Sequence, residues 1–418
     1  MAVSSLRQWT LPPELWLMVF REFNDSDPDS LQARDTLKSI SLTCRAFRRF
    51  TLPLLCETFV LRPQNLIPPD DRTDREIRRL DFYASDRIVL YVYHLKVQRC
   101  IKDSGTLEHI ITTPAMPENS KFLVLKFFDM LPRFTNARSL TCDEIDIGLH
   151  AFKNLSALPC LRSISLTNCN VSALSTNDSL RPLRLHIFRA DYYRWDATEP
   201  PRWLTLMDPS SLQVLLVHIS RDSSAWSLGG FFRDMPSAGL FPSLHTLNLT
   251  VAPDVITLIV QILSNTPALR RLTMILRRIM RGEDQNAAES PARHLVPYLE
   301  VYNGSHQLLP HILRRPTYSM KSPSSSRLRR LNLYPGAHRY ESESLHALVN
   351  TLRSLCPTQL RHLTHFRASI TWVDCIALEN LCALFPELRE LMITSMYPWR
   401  PFTHNVGCGL FFLLVPKC

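Results

Sequence analysis

A six-residue phrase, apolar-x-x-apolar-x-apolar, recurs along most of the chain, and its clearest copy is Leu161-Arg-Ser-Ile-Ser-Leu166. The alternation inside the phrase predicts a short strand that turns its apolar side chains to one side. A doubtful copy falls at residues 295–300. Clear copies begin at Val92, Ala137, Leu161, Leu185, Leu212, Leu244, Leu269, Leu328, Leu363 and Leu388.

The spacing of these phrases indicates the architecture. Successive starts from Ala137 to Leu269 lie 24, 24, 27, 32 and 25 residues apart, against roughly 20 to 29 residues in leucine-rich repeats. One such unit cannot bury its own apolar face, so neighbouring units must stack. We therefore predict an α/β fold in which residues 61–397 form an irregular leucine-rich-repeat solenoid. Parallel strands would line its concave side, with helices and loops on the convex side.

The predicted array is interrupted by two insertions, near residues 103–130 and 279–326. In the first insertion, Lys121–Leu131 has the apolar spacing of an amphipathic helix. The second is long enough to hold one disguised repeat at Tyr298–Leu309. Residues 398–418 form a predicted C-terminal tail whose apolar run would dock on the array.

Three short helices are predicted before the array. The first begins after Pro12, at positions where backbone donors have no helical partner and proline is tolerated. A polar run, Asn24–Ser30, ends it. Pro53 is expected to end the third helix. Because three such helices bury little surface alone, we expect them to gain stability from a partner or from the array.

Residues 8–60 resemble an F-box. The acidic insertion Asn24–Ser30 lengthens the link between the first two helices, as fungal-type members often do. The resemblance implies docking to a Skp-type adaptor and, through it, to a cullin-RING ubiquitin ligase. The residues that carry the resemblance are Leu11-Pro12, Glu14-Leu15, Val19-Phe20, Leu42, Cys44-Arg45, Phe47 and Leu55–Phe59. By position, the implied adaptor-binding residues are Leu11, Pro12, Leu15, Phe20, Leu42, Cys44 and Phe47.

Residues between the inward positions of each phrase would face the concave surface, where such arrays usually bind. Four basic residues among them favour an acidic or phosphorylated target segment, since guanidinium groups bind such anions bidentately. The alternative is a solvated polar face. The candidate target-binding residues are Arg189, Asp191, His218, Arg271, Tyr334, His365 and Arg367. The wider stripe adds His94, Lys96, Ser163, Ser165, Thr246, Asn248, Asn332 and Glu390.

Composition narrows the function. The chain has 10 glycines against 30 prolines, which disfavours phosphate-binding loops. Neither nucleotide-binding nor hydrolase motifs occur, so the sequence indicates no enzyme, metal or cofactor. Eleven scattered cysteines without a C-x-x-C pair, and Cys142 and Cys169 at core positions, favour the cytosol or nucleus.

The charge distribution argues against a nucleic-acid partner, and the hydropathy argues against a membrane span. Lys+Arg exceed Asp+Glu, 48 to 38, but the excess is too dispersed to indicate nucleic acid. No apolar run approaches the roughly 20 residues of a membrane span.

Two functional hypotheses remain. The first is a substrate-recognition subunit of an SCF-type ubiquitin ligase, in which the F-box-like segment binds the adaptor and the array binds an unidentified target protein. This chain would contribute to ubiquitin transfer by holding the target protein close to the ligase. The second is a stand-alone leucine-rich-repeat scaffold or sensor whose helical start is a cap on the array.

Overall fold

The chain divides into two compact units in the computed structural model: residues 1–165 with 172–181, and residues 166–171 with 182–418. These units differ from the three segments inferred from the sequence, whose boundaries at residues 60 and 397 stay predictions. The structure describes residues 12–25, 31–63, 70–98, 118–171, 181–192, 203–219, 241–251, 256–276, 296, 298–313, 328–334, 345–355, 360–370, 375–395 and 410–414.

The first unit begins with helices and continues as a parallel sheet. Strands β1, β2 and β3 pair in parallel, and β5 follows β3 in hydrogen-bonding order. The division between the units falls within β5. The helices are α1 (Pro13–Asp25), α2 (Leu31–Thr43), α3 (Arg45–Cys56), α4 (Asp70–Tyr83), α5 (Glu118–Met130) and α6 (Leu149–Ser156). The strands are β1 (Thr58–Leu61), β2 (His94–Gln98), β3 (Ser139–Asp143), β4 (Asp146–Ile147) and β5 (Ser163–Thr167).

The second unit repeats one parallel pairing from β7 to β14 in chain order. Its strands are β6 (Asn170–Val171), β7 (Ile187–Tyr192), β8 (Val214–Ile219), β9 (Thr246–Val251), β10 (Arg271–Leu276), β11 (Val301–Gly304), β12 (Arg330–Leu333), β13 (His365–Ile370), β14 (Glu390–Ser395) and β15 (Leu410–Leu414). Its helices are α7 (Ile256–Ser264), α8 (Leu309–Ile312), α9 (Leu345–Ser354) and α10 (Cys375–Leu384).

All ten clear phrases form strands, and each strand begins two residues after the first apolar residue of its phrase. The phrase at Leu244, for example, gives β9, in which Leu247 and Leu249 are fully buried. Within each unit, successive repeats are connected by two backbone donors on one carbonyl. For example, the N–H groups of Arg270 and Arg271 donate to the His245 oxygen at 3.0 and 2.9 Å. This repeated geometry confirms the α/β leucine-rich-repeat fold.

One strand comes from a phrase with unusual residues, Leu299-x-x-Tyr302-x-Gly304, which forms β11 and confirms the disguised repeat. Tyr302 is fully buried, and its hydroxyl donates to the Ser305 carbonyl at 2.8 Å. A Cβ added to Gly304 would lie 2.7 Å from that hydroxyl. A large and a small residue therefore occupy the space that two leucines occupy in other repeats.

An unpredicted phrase, Cys56-x-x-Phe59-x-Leu61, forms β1, and its three apolar residues are buried. Cys56 is also the last residue of α3. The first repeat therefore begins inside the third helix, where the sequence shows no boundary.

The prediction that Pro53 ends this helix is wrong, because α3 continues to Cys56. Proline removes one helical donor and clashes with the preceding turn. Here the cost falls in the last turn only, and the helix is held on both sides of Pro53 by buried Thr51 and Cys56. Another helical prediction is confirmed, because α5 covers the amphipathic segment predicted at Lys121–Leu131 except for its last residue.

The C-terminal run docks on the array as predicted, in the form of a strand. Residues Leu410–Leu414 form β15, which pairs antiparallel with β14, from Glu390 opposite Leu414 to Thr394 opposite Leu410. The direction distinguishes β15 from β7–β14, which all run parallel. It is therefore a terminal strand and not another repeat.

Candidate functional site

The three N-terminal helices share a small aromatic core. The ring of Phe47 in α3 lies 4.9 Å from Trp16 and 5.7 Å from Phe20, both in α1. Phe20 is only 2% exposed. The Cys44 thiol accepts a hydrogen bond from the Phe47 backbone at 3.4 Å and so caps the start of α3. These contacts fix the relative positions of α1 and α3.

Away from this core, the helices expose large apolar side chains. Leu15, Met18 and Val19 follow helical spacing on one side of α1, and Met18 is 66% exposed. Leu42, at the end of α2, is 81% exposed. Large exposed apolar residues mark interaction sites, and α1 and α2 are neighbouring helices, so we take these four residues together as a candidate docking face.

The predicted adaptor-binding residues divide into two groups. Leu15 and Leu42 lie on the docking face, whereas Phe20 and Phe47 lie in the aromatic core behind it. Exposed Pro12 accepts hydrogen bonds from the first turn of α1, and Cys44 caps α3. Leu11 lies outside the described residues.

Met18 and Val19 were not among the predicted adaptor-binding residues. The three- and four-residue steps from Leu15 could have indicated them.

In the second unit, the strand residues that alternate with buried ones form the face opposite the core. We call it the open face; it corresponds to the predicted concave surface. Parallel register aligns its residues into rows across the strands. Row 1, on β9–β14, is Thr246, Arg271, Val301, Arg330, His365 and Glu390, and row 2 is Asn248, Thr273, Asn303, Asn332, Arg367 and Met392. Row 3 lies two residues further along and includes Thr250, Ile275 and Tyr334.

On β7–β9, the polar residues of the open face bind one another. Arg189 Nε donates to Asp191 Oδ2 at 2.6 Å, and Asp191 is only 3% exposed. His218 Nδ1 lies 3.3 Å from Thr250 Oγ1. Burial lowers the pKa of His218, the Asp191 carboxylate opposes this shift, and Arg189 adds to it. This region is a closed polar cluster.

On β10–β12, the open face carries an amide ladder instead. Asn332 Nδ2 donates to Asn303 Oδ1 at 2.6 Å, and Asn303 Nδ2 donates to Thr273 Oγ1 at 3.0 Å. Each amide uses only part of its hydrogen-bonding capacity in the ladder. The chain of bonds therefore orients the side chains while leaving donors and acceptors for a ligand.

Three arginines accompany the ladder. Arg271, Arg330 and Arg367 are exposed and make no ion pair with any carboxylate of the described residues. The acidic residue at the far end of row 1, Glu390, lies 3.5 Å from His365 Nε2. The open face on β10–β13 is therefore basic, with its one nearby carboxylate engaged by a histidine.

The seven predicted target-binding residues thus fall in different places. Arg189, Asp191 and His218 belong to the closed cluster on β7–β9, whereas Arg271, Tyr334 and Arg367 lie on exposed parts of the later strands, and His365 pairs with Glu390. The residues that the sequence missed are Thr273, Ile275, Asn303 and Arg330. Their two-residue steps from Arg271 and Asn332 were a usable signal, except for Asn303, whose phrase has tyrosine and glycine in place of two leucines.

The corresponding row in the first unit is engaged internally. His94 Nδ1 lies 2.7 Å from Ser139 Oγ, and His94 Nε2 lies 3.8 Å from Glu57. Burial lowers the pKa of His94 despite the opposing effect of Glu57. This part of the predicted stripe therefore offers little free polar surface at His94.

The described cysteines are poor candidates for ligands. Cys142 and Cys169 are fully buried, which confirms them as core residues. Among the described residues, no group of three His, Cys, Asp or Glu side chains is placed to hold a metal ion. In the same part of the chain, no helix is both long and apolar enough to cross a membrane.

Comparison with known proteins gives matches in structure only. No family model matches the chain, and no curated protein sequence matches it. A chain of the yeast Rad7 and Elc1 complex is 14% identical, with 87% of this chain and 90% of that chain covered and a TM-score of 0.31. Internalin inlF from Listeria monocytogenes is 13% identical, with 88% and 90% covered and a TM-score of 0.34. Human 5T4, the trophoblast glycoprotein, is 16% identical, with 82% and 89% covered and a TM-score of 0.31.

Proposed function

We propose that this chain is the substrate-recognition subunit of a cullin-based, SCF-type ubiquitin ligase in the cytosol or nucleus. The N-terminal helices would dock a Skp-type adaptor, and the array would hold a target protein. The observation that carries the proposal is the docking face: large apolar side chains stand exposed on a helical segment that resembles an F-box.

The energetics of the docking face support a protein partner. Fully burying a Leu, Met or Val side chain contributes roughly 1.5–3 kcal/mol. Met18 and Leu42 leave most of that contribution unused in the isolated chain. The aromatic core of Trp16, Phe20 and Phe47 already holds α1 against α3, which lowers the ordering cost of binding.

The array would supply the second half of the function. Its open face is basic on β10–β13, which favours an acidic or phosphorylated target. The ubiquitin would be transferred by the attached ligase, so this chain would contribute proximity and not side-chain chemistry.

The test is co-expression with a Skp-type adaptor, followed by co-purification. The Met18→Asp/Leu42→Asp variant should lose the adaptor, because two carboxylates would replace exposed apolar contacts. The matched control is Phe122→Asp/Leu125→Asp, which makes the same kind of change on the exposed side of α5 and should retain the adaptor. Failure of the folded parent chain to bind the adaptor would refute the docking role.

A second candidate, a helical cap on a stand-alone scaffold, has one observation in its favour. The last residue of α3, Cys56, is the first core residue of β1, so the helices are continuous with the array. Deleting residues 1–60 would also remove most of β1 and cannot separate the two functions. The exposed-face variants leave the buried contacts of the helices intact and so test docking by itself. Loss of adaptor binding with an unchanged melting temperature would support the docking role, whereas a folded parent chain that binds no adaptor would favour the cap.

A further inference from the structure

Three kinds of side chain recur on the open face of β10–β12, two strands apart: an arginine in row 1, a polar residue in row 2 and an exposed apolar residue in row 3. In row 1, exposed Arg271 and Arg330 stand on β10 and β12, with the small Val301 between them on β11. In row 3, exposed Ile275 stands on β10, and exposed Tyr334 directly follows β12. The amide ladder of row 2 runs between the basic pair and the apolar pair.

We propose that this surface binds an extended segment of the target protein in which acidic and apolar side chains each recur every three residues. The inference rests on the proposed target-binding role of the array and specifies the class of target. The segment would cross the strands along row 2, with its acidic side chains toward row 1 and its apolar side chains toward row 3.

The interval follows from the spacing of strands. Neighbouring strands lie about 4.8 Å apart, so β10 and β12 are separated by about 9.6 Å. A polyproline II segment rises about 3.1 Å per residue, and its side chains return to the same side after three residues, or about 9.3 Å. Side chains at i and i+3 therefore match Arg271 and Arg330, whereas those at i and i+2 of a β-strand span only about 6.8 Å.

The amide ladder suits the main chain of such a segment. An extended polyproline II chain makes no internal hydrogen bonds, so its N–H and C=O groups need partners when water is displaced. Asparagine amides provide both a donor and an acceptor. Because Asn332 and Asn303 are already oriented by the ladder, little side-chain entropy is lost when a main chain binds to them.

The side-chain rows supply the selectivity. Exposed guanidinium groups without a carboxylate partner can bind carboxylates bidentately, and like charge repels a basic segment. Ile275 is 46% exposed and Tyr334 is 41% exposed, which leaves apolar surface for two ligand side chains. On β7–β9, Ile187 also leaves apolar surface exposed, but Arg189 is already paired with buried Asp191.

The test uses the full chain and a fluorescein-labelled peptide, (Glu-Leu-Ser)4, in an anisotropy titration. The comparison peptide has the same composition, with its glutamates two or four residues apart. We expect the regular peptide to bind at least about fivefold more tightly, since the irregular one can satisfy one arginine at a time. Equal affinities, or no binding of either peptide, would overturn the proposal.

Substitutions in rows 1 and 3 test whether the peptide binds to this surface. Arg271→Gln/Arg330→Gln should weaken binding of the regular peptide about tenfold, as expected for two exposed ion pairs. The control Arg361→Gln/Arg389→Gln removes the same charge at exposed positions outside the three rows and should change the affinity less than about twofold. Ile275→Ala/Tyr334→Ala should also weaken binding. Equal losses in the row 1 variant and the control would refute the assignment.

The adaptor experiment separates this inference from the proposed function. Peptide binding by a chain that fails to co-purify with the adaptor would support the surface and contradict the ligase role. Adaptor binding without peptide binding would support the ligase role and overturn the surface.

Discussion

The earlier and later strands of the open face in the second unit use their polar side chains in different ways. On β7–β9, Asp191 is buried against Arg189, and His218 lies against Thr250. On β10–β12, the ladder of Asn332, Asn303 and Thr273 leaves neighbouring side chains exposed. On the earlier strands, Arg189 is paired with Asp191, whereas Arg271 and Arg330 on the later strands make no ion pair with any carboxylate of the described residues.

The difference shows why residue type alone is a poor guide to binding in a repeat array. Arg189 and Arg367 both lie in row 2, yet Arg189 is paired with a carboxylate two residues away and Arg367 makes no ion pair with a carboxylate of the described residues. An arginine already bound to a buried acid must break that pair before it can hold a ligand. The free arginines of the later strands carry no such cost.

The largest expected effect comes from altering the support beneath the ladder. Gly304→Ala would place a Cβ 2.5 Å from the Met274 carbonyl and 2.7 Å from the Tyr302 hydroxyl. Such overpacking costs about 1–3 kcal/mol. We expect a lower urea midpoint and weaker binding of the regular peptide. Gly148→Ala is the control, since its Cβ would meet nothing within 4 Å. Equal midpoints for the two variants would contradict the packing argument.

A smaller effect is expected from the ladder itself. Asn303→Ala removes both ladder hydrogen bonds and should lower the free energy of unfolding by about 1 kcal/mol, since the groups are only half-buried. Asn332→Ala removes one of the same bonds, so the double variant should lose less than the sum of the single losses. A double-mutant cycle measured by urea denaturation tests this coupling. Strict additivity would show that the ladder does not act as a unit.

The smallest expected effect is a pH dependence of the free energy of unfolding that arises from the closed cluster. Because the pKa of His218 lies below its ordinary value of 6.5, the fold favours the neutral imidazole. The neutral imidazole contributes fully to the free energy of unfolding above pH 6.5. This contribution is lost as the pH falls through the lowered pKa of His218 in the folded state.

Lowering the pH from about 7.5 to about 5.5 should therefore reduce the free energy of unfolding less in His218→Asn than in the parent chain. His94 shifts in the same direction, so some dependence should remain in the variant. Thr250→Val retains the imidazole and serves as the control. The same pH dependence in His218→Asn as in the parent would rule out this role for His218.

The repeat fold could be predicted because one local pattern determines burial in every unit. Leucines at fixed spacing predict an inward face regardless of the rest of the chain, and strands such as β9 begin where that spacing requires. The pattern failed where other residues fill the same volume. Cys56 at the end of a helix, and Tyr302 paired with Gly304, carry no leucine signal.

The site was harder to predict, because its properties depend on neighbours from other repeats. The pairing of Arg189 with Asp191 could have been inferred, since residues two apart share one face of a strand. The ladder could not, because Asn303 and Asn332 become neighbours only through the register of β11 with β12. On the docking face, helical spacing identified the side of α1 but not which of its residues remain exposed.

The reversed strand β15 constrains how this molecule could change over evolutionary time. While β15 occupies the edge of β14, no additional parallel strand can be hydrogen-bonded to that edge. A repeat gained by duplication in the second unit would therefore have to enter before β14, between existing strands. An insertion between β10 and β12 would separate Arg271 from Arg330 by one more strand and change the periodicity of the segment they match, whereas an insertion after β12 would preserve it. Lineages that gain repeats are thus expected to keep β10–β12 contiguous if the bound segment is conserved.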